Sequence, residues 1–358
     1  MALRPRRLPR PPCWLVEPDR LCPCPDLPAR YPTLVCLHTH SCYSVENLAS
    51  LNWVMDLAYM RPFKGTLRRA FGLPRTDEVD YRDLCYNPPF RPDEIWRLET
   101  ASASALGIDR LLLAITDHDE IAGGVELIER LPEHADQLAI GEELTIRFEH
   151  ALYHLGVTGL PADRVADVHA SLQQHARNGN LDAVFETLAS LRCLTVLNHP
   201  LLDWGGGTIG AAPVLSLLRR YGWAIDALEI NGMRAPEENQ AVVALAAEVC
   251  KPLVGGGDSH LLLVSSALTA SRATTYADFV AEVKSGESQV VVTPGYFLPL
   301  RWRLTLRVLS FIAQYRTIAA YKQEPVRTMV GRRWILLDPV GALARLTIAL
   351  ADRFRILA

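Results

Sequence analysis

The chain contains no uninterrupted apolar run of about eighteen residues, so no membrane-spanning helix is expected. Its opening, Met1-Ala2-Leu3-Arg4-Pro5-Arg6-Arg7, is basic but leads into prolines where a secretory signal would turn apolar. Close-spaced cysteines are scarce as well. Of eight, only Cys22 and Cys24 lie near one another, and a chain of 358 residues needs no covalent staples. A reducing, cytoplasmic setting without a disulfide framework is the expectation. Nor is there an excess of one charge: the net value is −3, which argues against a stable nucleic-acid partner for the whole chain. The distribution is uneven, since residues 300–358 hold eleven Arg/Lys against three Asp/Glu and leave the remainder at −11.

What is present is ordinary for a soluble globular protein, with 49% hydrophobic and 22% charged residues, enough for one large α/β domain or two smaller ones. Residues 1–31 are rich in Pro and Arg and lack periodicity, and read as an extended arm. The apolar run Thr33-Leu34-Val35-Cys36 reads as a buried strand. It leads into His38-Thr39-His40, whose imidazoles at i and i+2 share one face because side chains alternate along a strand. A bare pair of this kind is more often the polar start of a loop than a metal site. Here, however, the design of strand followed by ligand-type residues recurs.

Arg110 to Ile115 is a continuous apolar run, as in a strand buried on both faces, and ends in Thr116-Asp117-His118-Asp119. Glu143 and His154 follow on further strand-like segments. Cys193 to Leu197 ends in Asn198-His199-Pro200, and Pro252 to Gly257 ends in Asp258-Ser259-His260. Strand–helix alternation predicts a parallel sheet with crossover helices, and ligands at strand C-terminal ends suit a barrel that gathers them on one face. Mixed His and carboxylate donors suit Zn, Mn or Fe, and more than four of them imply more than one ion. Between residues 47 and 92 lies a long aromatic, proline-punctuated insertion that reads either as a lid or as packed decoration. Apolar positions in the last sixty residues suggest basic amphipathic helices, which either dock on acidic surface or make weak contact with a membrane surface.

These motifs resemble those of the polymerase and histidinol phosphatase (PHP) family of metal-dependent phosphoesterases. Its H-x-H-S/T motif stands as His38-Thr39-His40-Ser41, T-D-H-D as Thr116 to Asp119, and G-x-E-h-S/T as Gly141 to Thr145. The histidine strand is His154-Leu155-Gly156, N-H-P is Asn198 to Pro200, and G-x-D-x-H is Gly256 to His260. Order and spacing agree over roughly residues 33–275. The resemblance implies a distorted seven-stranded β/α barrel over residues 32–295, with the insertion after its first strand and a helical extension from 296. It implies two or three divalent ions (Mn, Zn or Fe) held by His38, His40, His118, Glu143, His154, His199, Asp258 and His260.

Two departures stand out. The acid expected directly after the first-motif serine is displaced from Val45 to Glu46, which either takes over as ligand or leaves one metal position weaker. Leu261-Leu262-Leu263 also follows His260 where small or polar residues are expected. The expected activity is phosphoester hydrolysis of a small phosphorylated substrate or nucleotide. Asp117, His118, Glu143 and His199 would work at the reacting centre, Arg234 and Arg272 would hold the phosphate, and Asp117 and Asp119 would orient ligands unless Asp119 caps a helix. Phosphatase and nuclease action are not separated by these motifs. The alternatives are an amidohydrolase-like metal hydrolase, for which no strand-end lysine is found, and a non-catalytic regulatory module that kept the fold.

Overall fold

The computed structural model describes residues 13–47, 57–58, 85–88, 90–203, 207–260 and 264–305. Most of the 47–92 insertion and of the C-terminal extension, with Leu261 to Leu263, therefore lies outside the described residues. The elements run β1 (Trp14–Val16), β2 (Leu21–Pro23), α1 (Leu27–Arg30), β3 (Thr33–Cys36), β4 (Glu46–Asn47), β5 (Cys85–Tyr86), α2 (Pro92–Ala105), β6 (Arg110–Ile115), α3 (Ala122–Arg130), β7 (Leu138–Phe148) and β8 (Ala151–Thr158). They continue α4 (Val165–Arg177), α5 (Leu181–Ser190), β9 (Leu194–Asn198), β10 (Leu202–Asp203), β11 (Gly207–Thr208), α6 (Ala211–Tyr221), β12 (Ala227–Asn231), α7 (Pro236–Glu248), β13 (Leu253–Gly256), β14 (Ala267–Ser271), α8 (Tyr276–Lys284) and β15 (Gln289–Val292).

The helix starts carry the chemistry their sequences advertise. Pro92 opens α2, where its missing N–H costs nothing, and Glu94 accepts the Arg91 backbone N–H at 2.7 Å. Thr275 begins α8 by accepting the Asp278 N–H at 3.2 Å.

Among the described residues, eleven strands form one sheet in the order β13-β12-β9-β8-β7-β6-β3-β14-β15-β1-β2. The strand β6 lies parallel between β3 and β7, and Leu111 to Ile115 are at most 1% exposed, as a strand covered on both faces requires. Alternation of strands and helices predicts parallel pairing throughout, and here the fold departs from it. The strands β7, β8 and β9 pair antiparallel, because only Glu149 and His150 separate β7 from β8, too few for a crossover. Glu149 takes φ +53° to make that turn.

The expected closed barrel is not what the ladder gives. The edge strand β13 is not paired along β3; the two segments meet beyond their ends. There Thr39 bridges Ser259, Asp258 N–H donates to His38 O at 2.8 Å, and His40 N–H donates to Ser259 O at 3.0 Å. The side of β3 that a closed barrel would leave for β13 is taken by antiparallel β14. The N-terminal arm also differs from expectation: β1 and β2 form a hairpin that extends the sheet by pairing with β15. Trp14, Leu15 and Val16 supply the apolar side chains that let it stay there, Leu15 being 2% exposed. Among the described residues no helix is long and apolar enough to cross a membrane.

Candidate metal centre

Parallel strands that end together deliver their next residues to one place. Immediately beyond β3 come His38 and His40, beyond β6 comes His118, beyond β9 comes His199, and beyond β13 come Asp258 and His260. Glu143 lies within β7 and His154 within antiparallel β8, where His154 stands opposite Thr145 on one side and Asn198 on the other. Glu46 arrives from the short strand β4. Val45, which holds the place where an acid was expected, is 61% exposed and turned outward, and the displaced Glu46 is the buried one.

Glu143 is the centre of the cluster. Its Oε1 lies 3.1 Å from His38 Nε2, 3.1 Å from His199 Nε2 and 3.2 Å from His154 Nδ1, and accepts from Asn198 Nδ2 at 2.9 Å. Its Oε2 lies 3.1 Å from His118 Nδ1 and 3.4 Å from His40 Nε2. Glu46 Oε2 lies 3.1 Å from both His118 Nε2 and His260 Nε2. Asp258 Oδ1 is 3.1 Å from His260 Nδ1 and 3.7 Å from both His38 Nε2 and His40 Nε2. Four groups of donor atoms close enough to share an ion result: His40–Glu46–His118–His260, His38–His40–Asp258, His38–Glu143–His199 and His118–Glu143–His154.

The donor set fits divalent cations. Ligand atoms about 2.1 Å from a tetrahedral ion stand about 3.4 Å apart, which is the spacing seen here. His38 Nε2, His40 Nε2, His260 Nε2 and Glu143 Oε2 are buried in approaches of 3.1–3.7 Å to one another and to neighbouring donors that are not aligned as hydrogen bonds, an arrangement a shared cation would relieve. The electrostatics say the same. Burial works against charge on Glu143, yet His38, His154 and His118 hold its carboxyl well below the usual carboxylate range. Glu46 and Asp258 are likewise held low against burial, by His260 and His118 and by His38 and His260 respectively. His118, resisted by burial but facing Glu46 and Glu143, is pushed up to about 10, while burial and His260 bring His40 down to about 3. Three buried carboxylates thus demand cations, and in the protein alone protons on imidazoles provide them.

The other expected site residues fall into place differently. Asp117 is fully buried but belongs to none of the four groups; it ties two loops together, accepting the Ser41 N–H at 2.5 Å and the Ser41 hydroxyl at 2.6 Å. Burial pushes it up to about 7 despite those bonds. Asp119 caps no helix. It sits at φ +51° and accepts from Thr145 N–H at 2.8 Å and Gln173 Nε2 at 3.2 Å, pinning the loop after β6 to β7 and α4.

The two arginines are placed differently, and neither is paired with a carboxylate of the cluster. Arg234 lies beyond β12 but is paired with Glu238 on the first turns of α7 at 2.5 Å. Arg272 follows β14, which runs antiparallel to β3 and so ends where β3 begins, at the opposite end of the sheet; its guanidinium stacks 5.4 Å from the Tyr31 ring. Glu229, Asn231 and Asn198 also contact the cluster, and of the three the sequence motifs single out only Asn198, without a role at the site. A glutamate inside Ala227-Leu228-Glu229-Ile230-Asn231 was the available signal, since a charge in a doubly covered strand must have a partner.

No family model matches the chain, and no curated protein is significantly similar to it. Solved structures resemble parts of it. One is a candidate metal-dependent phosphoesterase from Bifidobacterium adolescentis (17% identity, 56% of this chain and 92% of that one, TM-score 0.37). Another is a two-domain protein from Bacteroides vulgatus containing a predicted PHP-like metal-dependent phosphoesterase (11% identity, 58% of this chain, TM-score 0.40), of which this chain spans 62%. A third is an amidohydrolase from Chromobacterium violaceum with bound sulfate and no metal (13% identity, 48% of this chain and 83% of that one, TM-score 0.34). The case for a metal centre rests on the side chains themselves.

Proposed function

We propose that this chain is a metal-dependent hydrolase of phosphoesters, acting on a small phosphorylated substrate or nucleotide. The observation that carries the reading is Glu143, whose two carboxylate oxygens face different sets of imidazoles, with His38, His154 and His199 on one and His40 and His118 on the other. Divalent ions bound there would supply Lewis-acid stabilisation of the phosphoryl oxygens and an acidified water.

The protein's own residues do the rest. His38, His199, Asp258 and Glu143 would hold one side of the centre, and His40, Glu46, His118 and His260 the other. Burial of most of the set, with His118 and His260 the partly exposed members, limits the access of bulk water to the donor atoms. Asp117 fixes the His38–Ser41 loop against the loop after β6, so that His40 and His118 keep their relative positions, with ring centroids 4.7 Å apart. A small pocket opens beside His40 and His260, walled by Phe90, Ile95, Leu98 and Val264. Arg234 is engaged by Glu238 and Arg272 lies at the far end of the sheet, so the bound cations would carry most of the anion recognition.

The test is release of phosphate from a panel of monoesters and dinucleotides by the metal-loaded chain and by Glu143→Gln. The expected result is turnover of at least one substrate class that collapses in the variant. Turnover retained by Glu143→Gln would refute the reading, and hydrolysis of amides without phosphoesters would transfer it to the amidohydrolase class.

A further inference from the structure

The strand β12 contributes no atom to any of the four donor groups, yet its two polar residues touch three of the ligands. Glu229 is 1% exposed. Its Oε1 lies 2.6 Å from His38 Nδ1, and its Oε2 accepts the His199 backbone N–H at 2.8 Å and Asn231 Nδ2 at 2.8 Å. Asn231 Nδ2 also donates to Asp258 Oδ2 at 3.1 Å. The amide of Asn231 is held in that orientation, because its Oδ1 accepts the Met233 N–H at 2.7 Å. The neighbouring strand leaves room for the carboxylate: a Cβ on Gly256 would come within 1.7 Å of Glu229 Oε1.

We infer that Glu229 is a positioning residue that fixes the tautomer of His38, and with it the metal position that His38 serves. The inference rests on the functional reading above. A carboxylate has only acceptors to offer, so the proton between Glu229 Oε1 and His38 sits on Nδ1. The His38 Nε2 lone pair then faces Glu143 Oε1 and Asp258 Oδ1, where a cation would be shared. A carboxylate behind a ligating imidazole also strengthens it as a donor.

Glutamine has nearly the same shape but not the same polarity. Its oxygen would have to occupy the Oε2 place, where two fixed donors arrive from His199 and Asn231. Its NH2 would then point at His38 Nδ1 and force the proton onto Nε2, the atom needed for the metal. An isosteric change that leaves the core filled therefore reverses the ligand. The same change made at a merely structural carboxylate would lower stability without selecting one metal position.

The experiment strips the full chain of metal, reloads it with Zn2+ under a competing chelator, and compares wild type with Glu229→Gln. The expected result is one class of zinc position weakened about 10- to 100-fold, with the remaining positions unchanged. Melting of the metal-free variant reports whether it folds. Unchanged zinc binding by a folded Glu229→Gln overturns the inference. A second measurement needs no variant: nitrogen-15 NMR of the zinc-loaded wild type places the His38 proton on Nδ1, and finding it on Nε2 also overturns the inference. Absence of zinc binding by the wild type is a different failure, that of the functional reading beneath it.

Discussion

Gly123 lies in the first turn of α3, a place where alanine ordinarily stabilises a helix by about 1 kcal/mol. In this fold the substitution has the opposite sign. A Cβ at Gly123 would stand 2.2 Å from Asp117 Oδ2, 2.6 Å from Ser41 Oγ and 2.9 Å from Ile115 Cγ2. The strand side of that contact is β6, in the middle of the sheet, and cannot retreat. Displacing the Asp117 carboxylate breaks at least one of its bonds to Ser41, worth about 1.5–3 kcal/mol for a charged acceptor. Overpacking adds about 1–3 kcal/mol. With the helix gain subtracted, Gly123→Ala is expected to destabilise the chain by about 1.5–5 kcal/mol. Because Asp117 holds the His38–Ser41 loop, bound metal should fall with stability. The assay is denaturant unfolding together with elemental analysis. In an Asp117→Ala background, where the carboxylate is gone but Ser41 Oγ and Ile115 Cγ2 remain, adding Gly123→Ala should cost about 2 kcal/mol or less, a coupling that a double-mutant cycle reads directly. Equal or greater stability of Gly123→Ala in the wild-type background would refute the reasoning.

Further outcomes follow from the same geometry. His118 is pushed up to about 10, with burial outweighed by Glu46 and Glu143. Its proton therefore stabilises the metal-free chain fully below the unfolded value near 6.5, and that contribution is lost as pH rises through about 10. Thermal melts of chelator-stripped protein should fall in temperature between pH 7 and 10, while the loaded protein holds steady because cations replace the proton; a rise in the stripped protein would contradict the assignment. Arg272→Ala should leave phosphate release unchanged, since that guanidinium lies at the far end of the sheet, and a loss of turnover in a kinetic assay would count against the placement. Leu113→Ala, at a fully buried position of β6, should cost about 2–5 kcal/mol in denaturant unfolding, and a cost below 1 kcal/mol would mean the central strand is packed more loosely than described.

Much of the centre was legible in the sequence because it obeys a local rule: a buried strand ends and a ligand follows. His38, His40, His118, His199, Asp258 and His260 all satisfy it, and the structure gathers them with Glu143 and His154. Glu46 was legible only as an anomaly, a displaced acid beside Val45, and it takes an exposed valine and a buried glutamate to show which of the two side chains joins the cluster. What could not be read locally is where strand direction decides the outcome. Arg272 looks like any residue after a strand until β14 proves antiparallel to β3. The β8–β9 pairing and the ladder left open at β13 depend on pairings between distant segments, which composition and periodicity do not encode, whereas β7–β8 is a local hairpin closed by Glu149 and His150. Glu229 was readable in principle, as a charge inside an apolar strand, but its partner His38 lies 191 residues away.

The most direct test of the account is elemental analysis of the chain purified without chelator, beside Glu143→Gln. Two or three equivalents of Mn, Fe or Zn in the wild type, falling in the variant at both sets of imidazoles, is the predicted result. A wild type that carries no transition metal, and takes up none when it is supplied, would contradict the central claim.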